Sequence, residues 1–124
     1  MPLCLTAGAI SASLFIQAYT LAWMHSIEKV RWEEDWQIET AQLHIVEARI
    51  KGSGAGMEAP PGSVLRDGAW HYRPALAPLD HLNLAHSPYT QGYELCLAAG
   101  CRPLVDYLPG IEASANIVLT ACDG

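Results

Sequence analysis

Residues 14–38 read LFIQAYTLAWMHSIEKVRWEEDWQI, and the alternation in this stretch decides the fold. In its first half Phe15, Tyr19, Leu21, Trp23 and Ile27 share one parity, with Gln17, Thr20 and Ser26 as polar interruptions. In its second half Val30, Trp32, Trp36 and Ile38 fall on one side and Arg31, Glu33, Asp35 and Gln37 on the other. A period of two is the signature of a strand whose faces differ. The second strand therefore predicts one apolar face and one wet one.

With Glu28 and Lys29 as the turn, Ile27 faces Val30, His25 faces Trp32, Trp23 faces Glu34, Leu21 faces Trp36 and Tyr19 faces Ile38. Every large apolar partner then lands on one face, and a slip of one residue would invert the pattern. In this register His25 and Glu34 are diagonal neighbours that both point inward. Buried groups of this kind are costly unless hydrogen-bonded or paired. Contact would favour the charged imidazole, and desolvation would act the other way. The pair reads either as a structural network that fixes register or as a ligand-binding or acid–base site. Ser26 points to the opposite face from His25 and no GxSxG motif occurs, which argues against a serine hydrolase.

Outward from the hairpin, LHIVEARI (43–50) fits both a strand and a helical stripe through Leu43, Val46 and Ile50. Its β-branched residues and the glycines that follow favour a strand. GSGAGMEAPPG (52–62) breaks regular structure. Its glycines do not open a helix before Pro60 and Pro61, so a dinucleotide site is excluded, and what remains is a backbone nest for an anion or a close-packed loop. AWHY (69–72), HLNLAH (81–86), YELCL (93–97) and ANIVLTAC (115–122) are further short β-rich runs bounded by turn residues. Regular short strands predict a single all-β domain over 1–124, an antiparallel β-sandwich or an open barrel.

The 124 residues are 51% hydrophobic and 16% charged, enough apolar surface for a packed core. Seven Lys and Arg against thirteen Asp and Glu leave a net charge of −6, with no basic cluster. That excludes nucleic-acid binding through phosphate neutralisation and disfavours docking on anionic lipid. Residues 1–24 carry no charged side chain. A basic n-region is missing, and Gly8, Ser11, Ser13, Gln17 and Thr20 dilute the run, so it predicts strands rather than a targeting or spanning segment.

Cys96 and Cys101 flank four residues, and a tight turn at Ala98 and Ala99 would set them opposite each other, as a disulfide or as two reduced thiols. Cys4 and Cys122 could join only if the terminal strands are neighbours. There is no CxxC, and His44, His71, His81 and His86 lack metal-ligand spacing, so neither a metal nor a cofactor is expected.

The blocks TLAWMHSIEKVRWEEDW (20–36), HIVEARIKGSGAGME (44–58) and LCLAAGCRPL (95–104) resemble the family catalogued as domain of unknown function 1850, with a family-like core over about residues 3–105. The matching signature residues are His25, Ser26, Glu28, Lys29, Glu34, Trp36, Gly54, Gly56 and Met57. The resemblance implies small bacterial proteins often encoded beside tripartite ATP-independent periplasmic (TRAP) transporters of the TAXI type. It supplies no catalytic assignment.

The resulting expectation is an accessory or binding protein linked to TRAP-type solute transport, more a binder than an enzyme. His25, Ser26, Glu28, Lys29, Glu34, Gly54, Gly56 and Met57 are its candidate ligand-binding residues. The partner is a small anionic solute or a transporter subunit, with peripheral membrane association compatible. The alternatives are a small hydrolase or isomerase using His25 and Glu34 as acid and base, and a purely structural interaction domain. The compartment stays open: periplasmic or membrane-associated with export, cytoplasmic without it.

Overall fold

A computed structural model describes residues 2–24, 30–51, 61–89 and 92–122. His25, Ser26, Glu28, Lys29, Gly54, Gly56 and Met57 lie outside the described residues. Eleven strands appear among those described: β1 (Leu3–Ala7), β2 (Ile10–Leu14), β3 (Ala18–Met24), β4 (Arg31–Glu39), β5 (Gln42–Lys51), β6 (Val64–Arg66), β7 (Ala69–Tyr72), β8 (His81–His86), β9 (Tyr93–Leu97), β10 (Gly100–Pro103) and β11 (Ala115–Ala121). A single 3-10 turn, Leu104–Tyr107, follows β10. No helix among the described residues is long and apolar enough to cross a membrane.

The strands form two antiparallel sheets, β2-β1-β11-β8 and β10-β9-β3-β4-β5-β7-β6. They face each other as an open sandwich, without closure into a barrel. The uncharged N-terminal run forms β1 and β2, paired through a turn at Gly8–Ala9 where Gly8 takes a φ of 60°. Alternation then does the packing. Leu3, Leu5, Leu84, Ile117 and Leu119 from the small sheet meet Tyr19, Leu21, Trp36, Ile38, Leu43 and Leu95 from the large one. These side chains are almost wholly withdrawn from water, and each contributes about 1.5–3 kcal/mol of burial.

The β3–β4 register differs from the expected one by two residues. Tyr19 pairs with Trp36, Leu21 with Glu34 and Trp23 with Trp32. A shift of two preserves which side chains face inward while changing every partner. The diagonal between His25 and Glu34 was drawn on the other register, and His25 lies outside the described residues.

The face opposite the core is also not simply wet. Arg49 sends both terminal nitrogens to Asp35, at 2.6 and 2.8 Å, and its Nε to Glu33 at 3.1 Å. Arg31 donates from Nε to the other Glu33 oxygen at 2.7 Å and from Nη1 to Glu94 at 2.6 Å. Thr20 donates to Asp35 at 2.7 Å, and Glu47 contacts His71 Nδ1 at 2.6 Å. The row closes over Ala22, which is fully buried although it points away from the main core. Glu33 itself is only 9% exposed. Forked guanidinium-to-carboxylate bonds make that burial tolerable. Burial pushes the Glu33 carboxyl up, but the hydrogen bonds from Arg31 and Arg49 outweigh it and hold it below its usual value; Asp35 is held down by Arg49 and Thr20 in the same way.

Thr40 and Ala41 join β4 to β5 with φ of 52° and 61°, a left-handed pair without glycine. Two-residue hairpin turns of this kind favour Asn-Gly. The double change Thr40→Asn, Ala41→Gly should therefore stabilise the fold by about 1 kcal/mol, read as a rise of about 3–5 °C in thermal midpoint. Arg49→Gln should instead cost roughly 2–4 kcal/mol, because Glu33 and Asp35 keep their charge and lose their shared partner. Since both carboxyls are depressed in the folded state, their contribution is full above the unfolded values and lost as pH falls through the folded ones. Denaturant melts from pH 7 down to pH 3 should thus show the Arg49→Gln deficit shrinking in acid.

Candidate functional site

The inner face of the large sheet carries more than the sandwich core. Beyond Tyr19 and Leu21 on β3 comes Trp23, and it pairs directly with Trp32 on β4 and with Tyr93 on β9. The two indoles lie 6.1 Å apart at 25°, and the Trp23 and Tyr93 rings are 5.7 Å apart at 55°. Glu34 sits on the same face, between Leu21 on one side and Ala48 on the other, with Tyr72 one strand further out. Trp36, two residues along the strand, donates its indole N–H to Glu34 Oε1 at 3.2 Å.

One carboxylate thus stands among six aromatic rings: Tyr19, Trp23, Trp32, Trp36, Tyr72 and Tyr93. Glu34, Trp23, Trp32, Tyr72 and Tyr93 are half-buried, whereas Tyr19 and Trp36 are buried. Small Ala48 opposite Glu34 leaves the carboxyl room that a larger side chain would fill. Burial raises the Glu34 carboxyl above its ordinary value, and the Trp36 hydrogen bond opposes that only in part. Burial likewise raises the hydroxyls of Tyr19, Tyr72 and Tyr93, and the Glu34 charge adds to each. The Tyr19 hydroxyl is buried without a hydrogen-bond partner among the described residues.

Such a site suits a group that carries positive charge on an apolar body. The carboxylate supplies the countercharge and the ring faces supply cation–π attraction, both strengthened by partial desolvation. A proton held on Glu34 is the other chemistry available, since a raised carboxyl is a competent acid.

Cations lie elsewhere. A groove of about 540 Å³ between β5, β6 and β7 is lined by Arg66, His71 and Arg73 together with Glu47. Glu47 contacts Arg66 at 3.6 Å and His71 at 2.6 Å, so one carboxylate offsets part of the charge that Arg66 and Arg73 bring. Among the described residues no group of His, Cys, Asp and Glu is arranged to hold a metal ion.

Of the residues singled out from sequence, the structure places Glu34 in this aromatic setting, and it joins Cys96 to Cys101 as a cross-strand disulfide. Cys4 and Cys122 are joined as well, one on β1 and one just past β11, strands that are neighbours. Tyr19, Trp23, Trp32 and Trp36 were expected as strand residues of one apolar face and not as ligand contacts, and Tyr72 and Tyr93 appeared only within short β-rich runs. Their short strands give no sign in sequence of which strand they pair with.

Residues 19–104 match the family model described as Domain of unknown function (DUF1850). The chain belongs to that family. The matched span starts at Tyr19 and takes in every residue of the aromatic site. No curated protein and no solved structure matches the chain.

The raised Glu34 carboxyl has a signed consequence. A group whose folded value lies above its unfolded one stabilises the fold when protonated, and that contribution disappears as pH rises through the folded value. At pH 7, Glu34→Gln should therefore be more stable than the parent by about 1 kcal/mol, the scale of desolvating a polar group. The difference should vanish as pH approaches the ordinary glutamate value of 4.5. Paired thermal melts across pH 4–8 would read it, and a Glu34→Gln protein less stable at every pH would contradict the burial argument.

Proposed function

We propose that this protein is a solute-recognition module, an accessory to a TRAP-type transport system, and that the solute it recognises carries a small organic cation. The observation that supports this reading is Glu34 itself: a half-buried carboxylate, ringed by aromatic side chains, with an indole N–H as its hydrogen-bond donor among the described residues. A charge kept in such surroundings costs stability, which is the usual trade made at a binding site. The transport link comes from the family resemblance, and a transporter subunit is the partner it implies. An anionic solute, the expectation from the glycine loop, would meet the Glu34 charge here and partly neutralised arginines in the groove beside β7.

A second reading draws on the same carboxyl. Glu34 as general acid, with His25 as base, would make the site a small hydrolase or isomerase, and the raised carboxyl is the observation that favours it. Turnover separates the two, since a binder has none to lose.

Tryptophan fluorescence, with indoles in the site wall, tests the binding reading directly. Tetramethylammonium should change it saturably, and Glu34→Gln should weaken that affinity about tenfold, the worth of one desolvated charge and cation contact at roughly 1.4 kcal/mol. Succinate and phosphate serve as the anionic arms. Saturation by succinate but not by tetramethylammonium, or equal affinity in Glu34→Gln, would overturn the cation assignment.

A further inference from the structure

The opposite face of the same sheet carries an arrangement that ligand recognition does not use. Cys96 on β9 and Cys101 on β10 are directly paired in the register and disulfide-bonded across it. β10 is the edge strand of the seven-stranded sheet, and all four of its residues are exposed. Cys101 is therefore open to solvent, whereas Cys96 is half-buried. A third nitrogen of Arg31, Nη2, lies 3.6 Å from Cys96 Sγ and 3.7 Å from Cys101 Sγ. Glu33 and Glu94 take the Nε and Nη1 groups at 2.7 and 2.6 Å, which fixes the plane of the guanidinium and aims its remaining N–H groups at the sulfurs.

A disulfide needed only as a staple gains most by closing a long loop. Cys4–Cys122 does that, with a separation of 118 residues, whereas Cys96–Cys101 closes a separation of only 5 across a hairpin already held by its own ladder. The short bridge adds less to the fold than the long one, and opening it removes less. What it has instead is an exposed sulfur, a cation placed to stabilise the thiolate that would leave, and a groove of about 370 Å³ beside Cys96, walled by Thr20, Asp35, Gln37 and Val46. These are determinants of thiol–disulfide exchange, access to one sulfur and a cation beside the thiolate leaving from the other, with the nearby carboxylates of Glu33 and Glu94 paired to Arg31 and that of Asp35 to Arg49.

We propose that Cys96–Cys101 is a thiol–disulfide exchange site that accepts two electrons from a dithiol, whether a small molecule or a protein. The donor thiolate attacks Cys101 Sγ. A new S–S bond forms between donor and Cys101, the Cys96–Cys101 bond breaks, and Cys96 departs as a thiolate facing Arg31 Nη2. The donor's second thiolate then attacks its own sulfur in the mixed disulfide and closes the donor's disulfide. Cys101 is released as a thiolate and takes a proton from water. The donor is oxidised by two electrons and this chain's disulfide is reduced by two. The site lies on the outer face, so its behaviour is independent of whatever Glu34 recognises.

The test uses the whole oxidised protein and dithiothreitol as the donor. Samples are quenched by alkylation over time and both bridges are followed by peptide mass spectrometry. Cys96–Cys101 should open at least about tenfold faster than Cys4–Cys122, and Arg31→Gln should slow it about three- to tenfold as the leaving thiol loses its cation. The Cys4–Cys122 rate in the same samples monitors the fold, and Arg31→Lys should restore most of the difference. In the reduced wild-type protein, Cys96 alkylation should titrate below the ordinary thiol value of about 8.5. Equal opening of the two bridges, or a Cys96 titration at or above that value, would overturn the proposal without recourse to any variant.

Discussion

A strand carrying Glu33, Glu34 and Asp35 in succession occupies the middle of a seven-stranded sheet, and the Arg49 guanidinium makes that arrangement stable. Central strands are ordinarily apolar on at least one face because their neighbours exclude water from both sides. Here the odd-numbered carboxylates turn away from the core and share one forked cation that also reaches across from the adjacent strand. Arg31 repeats the device at the other side of Glu33. The charges are thereby kept ionised, and the outer face packs tightly enough to bury Ala22 beneath them. The even-numbered positions are then free to carry Trp32, Glu34 and Trp36 on the inner face, where the aromatic site forms.

The distribution of faces was legible in sequence and the pairing was not. Alternation in AYTLAWM and RWEEDWQI assigned the inward residues of β3 and β4, because inward parity is all that a period of two encodes; Phe15, given the same parity, lies between β2 and β3 and is 86% exposed. A displacement of two residues leaves that parity untouched, so only turn chemistry could have chosen between registers, and Glu-Lys is a weak turn signal. The same limit explains why the outer face read as wet. Arg49 is fifteen or so positions downstream in the chain, and nothing in the spacing of β4 announces that it returns to bridge Glu33 and Asp35. Thr40 and Ala41 gave no turn signal either, since the left-handed conformation they adopt is normally marked by glycine or asparagine.

The ambiguity in LHIVEARI has a specific structural cause. Asp35 pairs with Glu47 but Trp36 pairs with Ile45, so β5 contains one extra residue, Val46, where the ladder is irregular. A bulge of this kind shifts parity midway along a strand. Leu43 and Ile45 face inward before it, and Ala48 and Ile50 after it, so the inward residues change step from two to three at the bulge. Leu43 and Ile50, seven positions apart, both face inward only because of the bulge, and that spacing of two helical turns is why the stretch also fitted a helical stripe.

That bulge also links the fold to the site. Were β5 to run regularly through Val46 from the Trp36–Ile45 pair, Glu47 and Arg49 would face inward with Glu47 opposite Glu34, while Ala48 and Ile50 would turn outward. Arg49 would then abandon Glu33 and Asp35, and Glu34 would lie opposite a second carboxylate. The register change at the bulge therefore leaves a compensated outer face and, among the described residues, an inner face with one carboxylate among rings. The separation gives the two faces opposite responses to acid, because Glu33 and Asp35 stabilise the fold when ionised and Glu34 when protonated.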